Sequence, residues 1–358
     1  MNHHQTNIAL STLFLYLTDN CNLSCSHCWI SPSYSKNKQA GISVDRLKKA
    51  ISEAKALGLA TVKLTGGEPL LYKELSALLT FLANEKLTVY IETNGTLIDQ
   101  AVLETFKDCR VQQISVSLDA ASEQIHDDIR GIKGGFADAV RGLQLLASSG
   151  LNFQIIMTLQ HKNRLEIPGM ILLSEKLGAR SLKINHLVPC GRGKEAFKRK
   201  QNLKLNELVQ LYRMVQNEWS ARNKLDIIFD IPAAFRSLEE LKQRGVFECN
   251  ILNILGILAN GEFSICGIGQ TIKELRMGHV NDDAICYIWQ NNDILKELRA
   301  SLPSKLNGIC GQCIFKFQCL GACRANAYAL TSDLFAPYFL CQELFESGLF
   351  PPSRQISK

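Results

Sequence analysis

Short apolar runs alternate with amphipathic stretches along the first half of the chain, and the period switches between two and about 3.6 residues. Residues 12–18 read as a strand. Ser43 is then a candidate helix N-cap; Leu47, Ala50, Ile51, Ala54 and Leu57 recur at helical spacing, and Gly58 fits the stop. Further strands are predicted at 60–65, 87–92, 113–119, 152–158 and 181–186, with helices over 74–83, 98–106, 136–147 and 167–177 between them. Six strands alternating with helices predict an α/β fold with a parallel sheet and right-handed crossovers. Beyond them, 203–222 reads as helix, 225–231 as extended chain and 238–244 as helix. Residues 256–266 read as a hairpin turning at Asn260-Gly261.

Composition changes this picture little. The 358 residues suit roughly two domains of ~150 residues each, and 46% hydrophobic residues allow a sizeable core. No apolar run reaches the ~18–20 residues of a membrane span, and residues 1–7 lack the basic start of a secretory signal. The net charge of +6 is concentrated between Arg192 and Lys200, a solvated loop without the aromatic interleaving of a nucleic-acid site. Neither membrane nor nucleic acid is expected as a partner, and a cytoplasmic location is. Thirteen cysteines in a chain of this size point to intracellular metal chemistry before disulfides.

Cys21, Cys25 and Cys28 sit on one polar loop after the first strand, where three thiols can converge on one inorganic centre. Thiolate is a soft ligand, which suits zinc or an iron–sulfur cluster. A structural zinc wants four protein ligands, and this loop offers three. The Cys-x3-Cys-x2-Cys spacing, with His27 before the third cysteine, resembles the signature of the radical S-adenosylmethionine (radical SAM) enzymes. That resemblance implies a partial (β/α)6 barrel and a four-iron cluster whose open iron chelates S-adenosylmethionine (SAM). Cleavage of SAM then makes a 5′-deoxyadenosyl radical, so Cys21, Cys25 and Cys28 would carry catalysis. The motifs at the strand ends, where parallel sheets place their sites, take roles by the same resemblance. Gly66, Gly67, Glu68 and Pro69 match the motif that holds the methionine amino group. Thr93, Asn94 and Gly95 sit at the third strand end. Ser117 and Asp119 match ribose and carboxylate contacts, Arg130 an arginine pairing with the SAM carboxylate, and Leu187 begins a segment lining the adenine. Arg192 would contact cofactor or substrate.

Seven of the remaining ten cysteines form a second series, Cys249, Cys266, then Cys310, Cys313, Cys319, Cys323 and Cys341. Four of them alone could form a zinc knot. The seven together resemble the SPASM extension of radical SAM enzymes, the type found in subtilosin, pyrroloquinoline quinone, mycofactocin and anaerobic sulfatase maturases. The implied division is a core barrel over 1–215, a bridging segment over 216–245 and an auxiliary-cluster domain over 246–358. It implies two auxiliary four-iron clusters, one held by Cys310, Cys313, Cys319 and Cys341, the other by Cys249, Cys266 and Cys323. With the SAM-binding cluster, that makes three. Residues 250–265 carry no eighth cysteine, which leaves an iron open to substrate or to a ligand that is not cysteine. Cys109 and Cys190 read as inert buried or loop thiols, and Cys286 as a packing residue of a helix with Ile285, Ile288 and Trp289.

The resemblance implies an oxidoreductase that modifies a ribosomally made precursor peptide, by crosslinking, thioether formation or another oxidative change at carbon. The auxiliary clusters would take up the electron left after bond formation. The alternatives are a small-molecule or cofactor precursor of porphyrin or quinone type, and sulfatase maturation. Sulfatase maturation is disfavoured, because Gly267 stands where those enzymes carry an aspartate base directly after the cysteine matching Cys266. The chain starts some twenty residues before Cys21, so a separate leader-binding protein or the barrel itself would recognise a peptide. A flavodoxin or ferredoxin would supply electrons. A bare electron carrier or zinc scaffold would have no use for the SAM motifs.

Overall fold

The computed structural model describes residues 8–31, 41–219, 224–246 and 249–356. Residues 1–7 and the end of the expected 203–222 helix lie outside them. Among the described residues ten strands form one sheet: β1 (Thr12–Tyr16), β2 (Thr61–Thr65), β3 (Thr88–Thr93), β4 (Gln113–Ser117), β5 (Phe153–Leu159), β6 (Ser181–His186), β7 (Asp226–Phe229), β8 (Ile254–Ile257), β9 (Glu262–Ser264) and β10 (Arg276–His279). Their order is β10-β9-β8-β1-β2-β3-β4-β5-β6-β7. Strands β1 to β7 pair in parallel, so the six expected strands are joined by a seventh where extended chain was predicted.

Helices α1 (Val44–Lys55), α2 (Leu75–Asn84), α3 (Gln100–Asp108), α4 (Glu123–Arg130), α5 (Gly135–Ser149) and α6 (Ile167–Lys176) make the crossovers. Strand parity decides what each face meets. Leu13, Leu15, Val62, Leu64, Ile114 and Val116 are at most 1% exposed and join the core under the helices. On the opposite parity Tyr16, Lys63, Thr65, Glu92, Ser117 and Lys183 look into the hollow of the curved sheet. The sheet's concave side is therefore polar by sequence, and it is where chemistry can be held.

The helix α4 was not anticipated. Its signals are Ser122 at the N-cap and Gly131 at the end, where φ is +70°. The 203–222 reading is met by a helix Leu205–Met214 that continues as a π-helical turn over Val215–Trp219. The helix Leu238–Arg244 falls where it was predicted, capped by the Ser237 side chain.

The C-terminal third is joined to the barrel through backbone hydrogen bonds. Strand β8 runs parallel to β1, with Thr12 opposite Ile254 and Leu15 opposite Ile257. It turns back through Asn260-Gly261, with Gly261 at φ +92°, into antiparallel β9. The helix Ile285–Asn291 docks nearby: Trp289 Nε1 donates to the Ile8 carbonyl at 2.9 Å, and Ile285 N to Glu53 of α1 at 3.1 Å. Ile285, Ile288 and Trp289 are buried, as their spacing predicts, while Cys286 is only partly covered. Among the described residues no helix is long and apolar enough to cross a membrane.

Candidate active site

A cavity of about 440 Å3 opens at the C-terminal ends of the parallel strands, and Cys21, Cys25 and Cys28 lie in its wall. Their loop is clamped from three sides. Ser24 N and Ser26 N donate to the carbonyls of Arg130 and Ile129 at the end of α4, at 3.0 and 2.9 Å. The Asn22 side chain donates to Thr96 and accepts from Asn94, both at 2.8 Å. Arg192 donates through Nε to the Cys25 carbonyl at 2.8 Å and through its backbone N to the Cys28 carbonyl at 2.9 Å. Arg192 is thus a clamp of the cysteine loop, a role its sequence context did not disclose.

The Gly66-Gly67 segment lies directly against this loop. Gly67 N donates to the Thr18 carbonyl at 2.6 Å and Glu68 N to the Asn20 carbonyl at 2.8 Å. A Cβ on Gly67 would stand 2.1 Å from the Asn20 oxygen, so the close approach admits only glycine. Both glycines line the cavity with their backbone. Glu68 is fully buried, and its carboxylate is spent elsewhere: it accepts from Thr93 Oγ1 at 2.6 Å, from Asn94 N at 2.8 Å and from Leu70 N at 3.1 Å. Gly66 and Gly67, not the Glu68 carboxylate, are what this motif presents to the cavity. Pro69 opens the short 3-10 turn Pro69–Leu71 behind it.

Asn94, Ser117 and Arg130 also line the cavity. Asp119 lies beneath it, fully buried, with Oδ2 2.8 Å from Arg130 Nε and Oδ1 accepting from Thr158 N at 2.8 Å. Burial works to raise the Asp119 pKa, but the charges of Arg130, His27 and His126 outweigh it and hold the carboxyl below its ordinary value. Arg130 in turn donates to Cys25 Sγ at 3.7 Å. Burial lowers His27 to about 4 against the pull of Asp119, so its ring is neutral at pH 7. Leu187 is buried, and its neighbours His186 and Val188 reach the cavity.

The deeper wall holds residues that were not singled out from the sequence. Lys63 Nζ lies 2.5 Å from Glu92 Oε1, and Lys183 adds to the field on the same carboxylate. His186 bridges the Asp230 carbonyl at 3.2 Å and the Tyr338 hydroxyl at 2.8 Å. The available signal was parity, since Lys63, Glu92 and Lys183 are charged residues inside otherwise apolar strands. Gly267 has a reason in the packing: a Cβ there would fall 2.2 Å from the Tyr16 hydroxyl, so Tyr16 fills the space a side chain at 267 would use.

The seven C-terminal cysteines divide into two groups. Cys249, Cys266 and Cys323 line the main cavity together with the first cysteine loop. Cys310, Cys313, Cys319 and Cys341 together line a separate apolar pocket. Backbone N–H groups donate to several of these sulfurs: Tyr338 to Cys310 at 3.3 Å, Phe315 to Cys313 at 3.4 Å, Ala322 to Cys319 at 3.2 Å and Asn326 to Cys323 at 3.4 Å. Such bonds stabilise thiolate ligands and tune a bound cluster. Burial pushes the Cys21 thiol up to about 12, so ionisation there calls for a cation's charge. Among the described residues no three His, Cys, Asp or Glu side chains close round a point as a single zinc ion requires. The donor sets are all thiols, the ligand type of iron–sulfur clusters.

Comparison with known proteins places the chain among iron–sulfur enzymes. Residues 15–173 match the radical SAM superfamily, and residues 249–314 match the SPASM iron–sulfur cluster-binding domain. The chain is 30% identical over 330 residues to an AdoMet-dependent heme synthase of Methanosarcina barkeri (strain Fusaro / DSM 804), covering 88% of this chain and 92% of that protein. It is 27% identical over 327 residues to the mycofactocin maturase MftC of Mycobacterium tuberculosis (strain ATCC 25618 / H37Rv), with 90% and 80% covered. In three dimensions it resembles Streptococcus suis SuiB bound to its precursor peptide SuiA. The TM-score is 0.75 at 16% identity, with 94% of this chain and 76% of that one covered.

Proposed function

We propose, from the premise that this chain belongs to the radical SAM enzymes that carry a SPASM iron–sulfur domain, that it modifies a ribosomally made peptide at an unactivated carbon. Membership implies four-iron clusters and SAM binding. Cys21, Cys25 and Cys28 would hold the SAM-binding cluster, with Cys249, Cys266 and Cys323 at a second cluster and Cys310, Cys313, Cys319 and Cys341 at a third. We assign the barrel to 1–215, the bridge to 216–245 and the auxiliary domain to 246–358. When bound, the clusters and SAM supply the reducing electron, the hydrogen-abstracting 5′-deoxyadenosyl radical and the acceptor for the electron left after bond formation.

The chain's own residues orient and enclose. The Gly66-Gly67 backbone offers carbonyls to an ammonium group, and Arg130 offers a guanidinium to a carboxylate. Asn94 and Ser117 supply neutral hydrogen bonds at the strand ends. Arg192 and Asn22 keep the cysteine loop in register with these groups. Tyr16 and Trp29, edge-to-face with centroids 6.3 Å apart, wall off part of the cavity from water.

The observation that carries the peptide reading is the charge balance inside the cavity. Lys63 and Arg130 each face a carboxylate, while Lys183 shares Glu92 with Lys63; a wall neutralised to that extent suits a substrate of neutral amides better than one bearing several carboxylates. Asn185, Thr158 and Asn326 add neutral partners along the wall. A second reading, a heme precursor, is favoured by the heme synthase relative, of which this chain covers 92%.

The two readings separate in one assay. Anaerobic enzyme with SAM and reductant is offered Cys- and Tyr-containing precursor-type peptides, or an iron porphyrin bearing propionates, and products are read by mass. Loss of two hydrogens from a peptide supports the proposal. Loss of carbon dioxide together with two hydrogens from a porphyrin propionate, with peptides untouched, overturns it.

A further inference from the structure

The cluster assigned to Cys249, Cys266 and Cys323 lacks a fourth thiol in its own segment, because residues 250–265 contain no cysteine. The fold brings one from elsewhere. Cys190 follows β6 on the loop that clamps the first cysteine loop, and it is 3% exposed. Its Sγ donates to Asn326 Oδ1 at 3.3 Å, and Asn326 N donates to Cys323 Sγ at 3.4 Å, so one asparagine touches both sulfurs. We infer that Cys190 is the fourth thiolate of the cluster held by Cys249, Cys266 and Cys323, and that it closes this cluster to direct substrate binding. The inference rests on the assignment of that cluster.

A further observation points the same way. The loop is fixed before any ligand arrives. Gly191 takes φ +54°, and a Cβ there would stand 2.4 Å from the Trp29 carbonyl oxygen and 2.7 Å from that of Cys28. Arg192 N bonds the Cys28 carbonyl at 2.9 Å, and Cys190 N bonds the Val188 carbonyl at 2.9 Å. One loop would thus brace the SAM-binding cluster with its backbone and ligate the second cluster with its side chain. A packing thiol needs no such placement, and Cys109, which sits 4.0 Å from Thr80 Oγ1 and far in sequence from the other cysteines, is the contrasting case. Four thiolates also make a cluster more negative than three with a neutral ligand, and so harder to reduce.

The test uses the full chain with Cys21, Cys25 and Cys28 replaced by alanine, so that only the auxiliary clusters assemble. This parent is expected to hold about eight irons in two clusters and to give no three-iron signal in electron paramagnetic resonance after mild oxidation. Adding Cys190→Ala is expected to cost about one iron per chain on oxidation and to produce the three-iron signal. 2-Mercaptoethanol, supplying an external thiolate, is expected to suppress it. Cys190→Ser preserves the shape of the side chain and is expected to shift the midpoint potential of one cluster only. Cys286→Ala is expected to change neither readout. A parent that already gives the three-iron signal, or Cys190 variants spectroscopically identical to it, overturns the inference and leaves the cluster assignment standing. A parent that binds no iron overturns both.

Discussion

Asp119 and Arg130 show how one buried pair serves the site from below. The carboxylate faces the guanidinium at 2.8 Å, and the guanidinium reaches Cys25 Sγ at 3.7 Å, so the pair helps fix the position of Cys25. Asp119→Asn leaves Arg130 buried without its counter-ion, and breaking such a pair costs roughly 3–5 kcal/mol. Urea denaturation should read that loss at pH 7. Because the folded-state pKa of Asp119 is depressed, its contribution is fully present above the unfolded value of about 3.9 and is lost as pH falls through the folded value. The gap between wild type and Asp119→Asn should therefore narrow below about pH 4; a gap that widens in acid would contradict the pairing. Gly67 acts by what it lacks. Gly67→Ala forces a Cβ to 2.1 Å from the Asn20 oxygen, and relieving such overpacking costs about 1–3 kcal/mol. Equilibrium dialysis should show weaker SAM binding, and unchanged affinity would remove the glycines from the cofactor site.

At the scale of elements, hydrophobic period made most of the barrel legible. The run through Leu13 and Leu15 alternates with Phe14 and Tyr16, and the parity that predicts a strand also sorts core from cavity. Helices α1, α2, α3, α5 and α6 were visible from their apolar stripes, and Gly58 and Gly150 follow the ends of α1 and α5. Helix α4 was not, because its residues are mostly polar and its buried face includes His126 and Arg130, whose side chains find tertiary partners. Cysteine spacing grouped the thiols along the chain, but whether Cys190 approaches Cys323 depends on how β6 sits against the helix Arg324–Thr331, which no local pattern encodes. Strand β8 completes the pairing of β1. A chain ending at residue 246 would leave β1 as an unpaired edge with apolar Leu13 and Leu15, the kind of edge that recruits other chains. Size-exclusion chromatography should find such a truncation aggregated. A monodisperse monomer would mean that β8 is dispensable to the barrel.

Across the whole molecule, the cavity joins what the sequence holds more than two hundred residues apart. Cys21, Cys25 and Cys28 line it together with Cys249, Cys266 and Cys323 and with the strand-end groups. Cys25→Ala should lower the iron content from about twelve to about eight per chain and leave the C-terminal clusters spectroscopically unchanged; loss of all iron would mean that the sites assemble as one unit. The claim on which the rest depends is that the first cysteine loop and the Gly66-Gly67 backbone together cleave SAM. Its most direct test is 5′-deoxyadenosine formation by anaerobically reconstituted full-length protein given SAM and a strong reductant. The account predicts product from the wild type and none from Cys25→Ala. Equal product from both, or none from a wild type carrying its full iron in the presence of substrate, would contradict it.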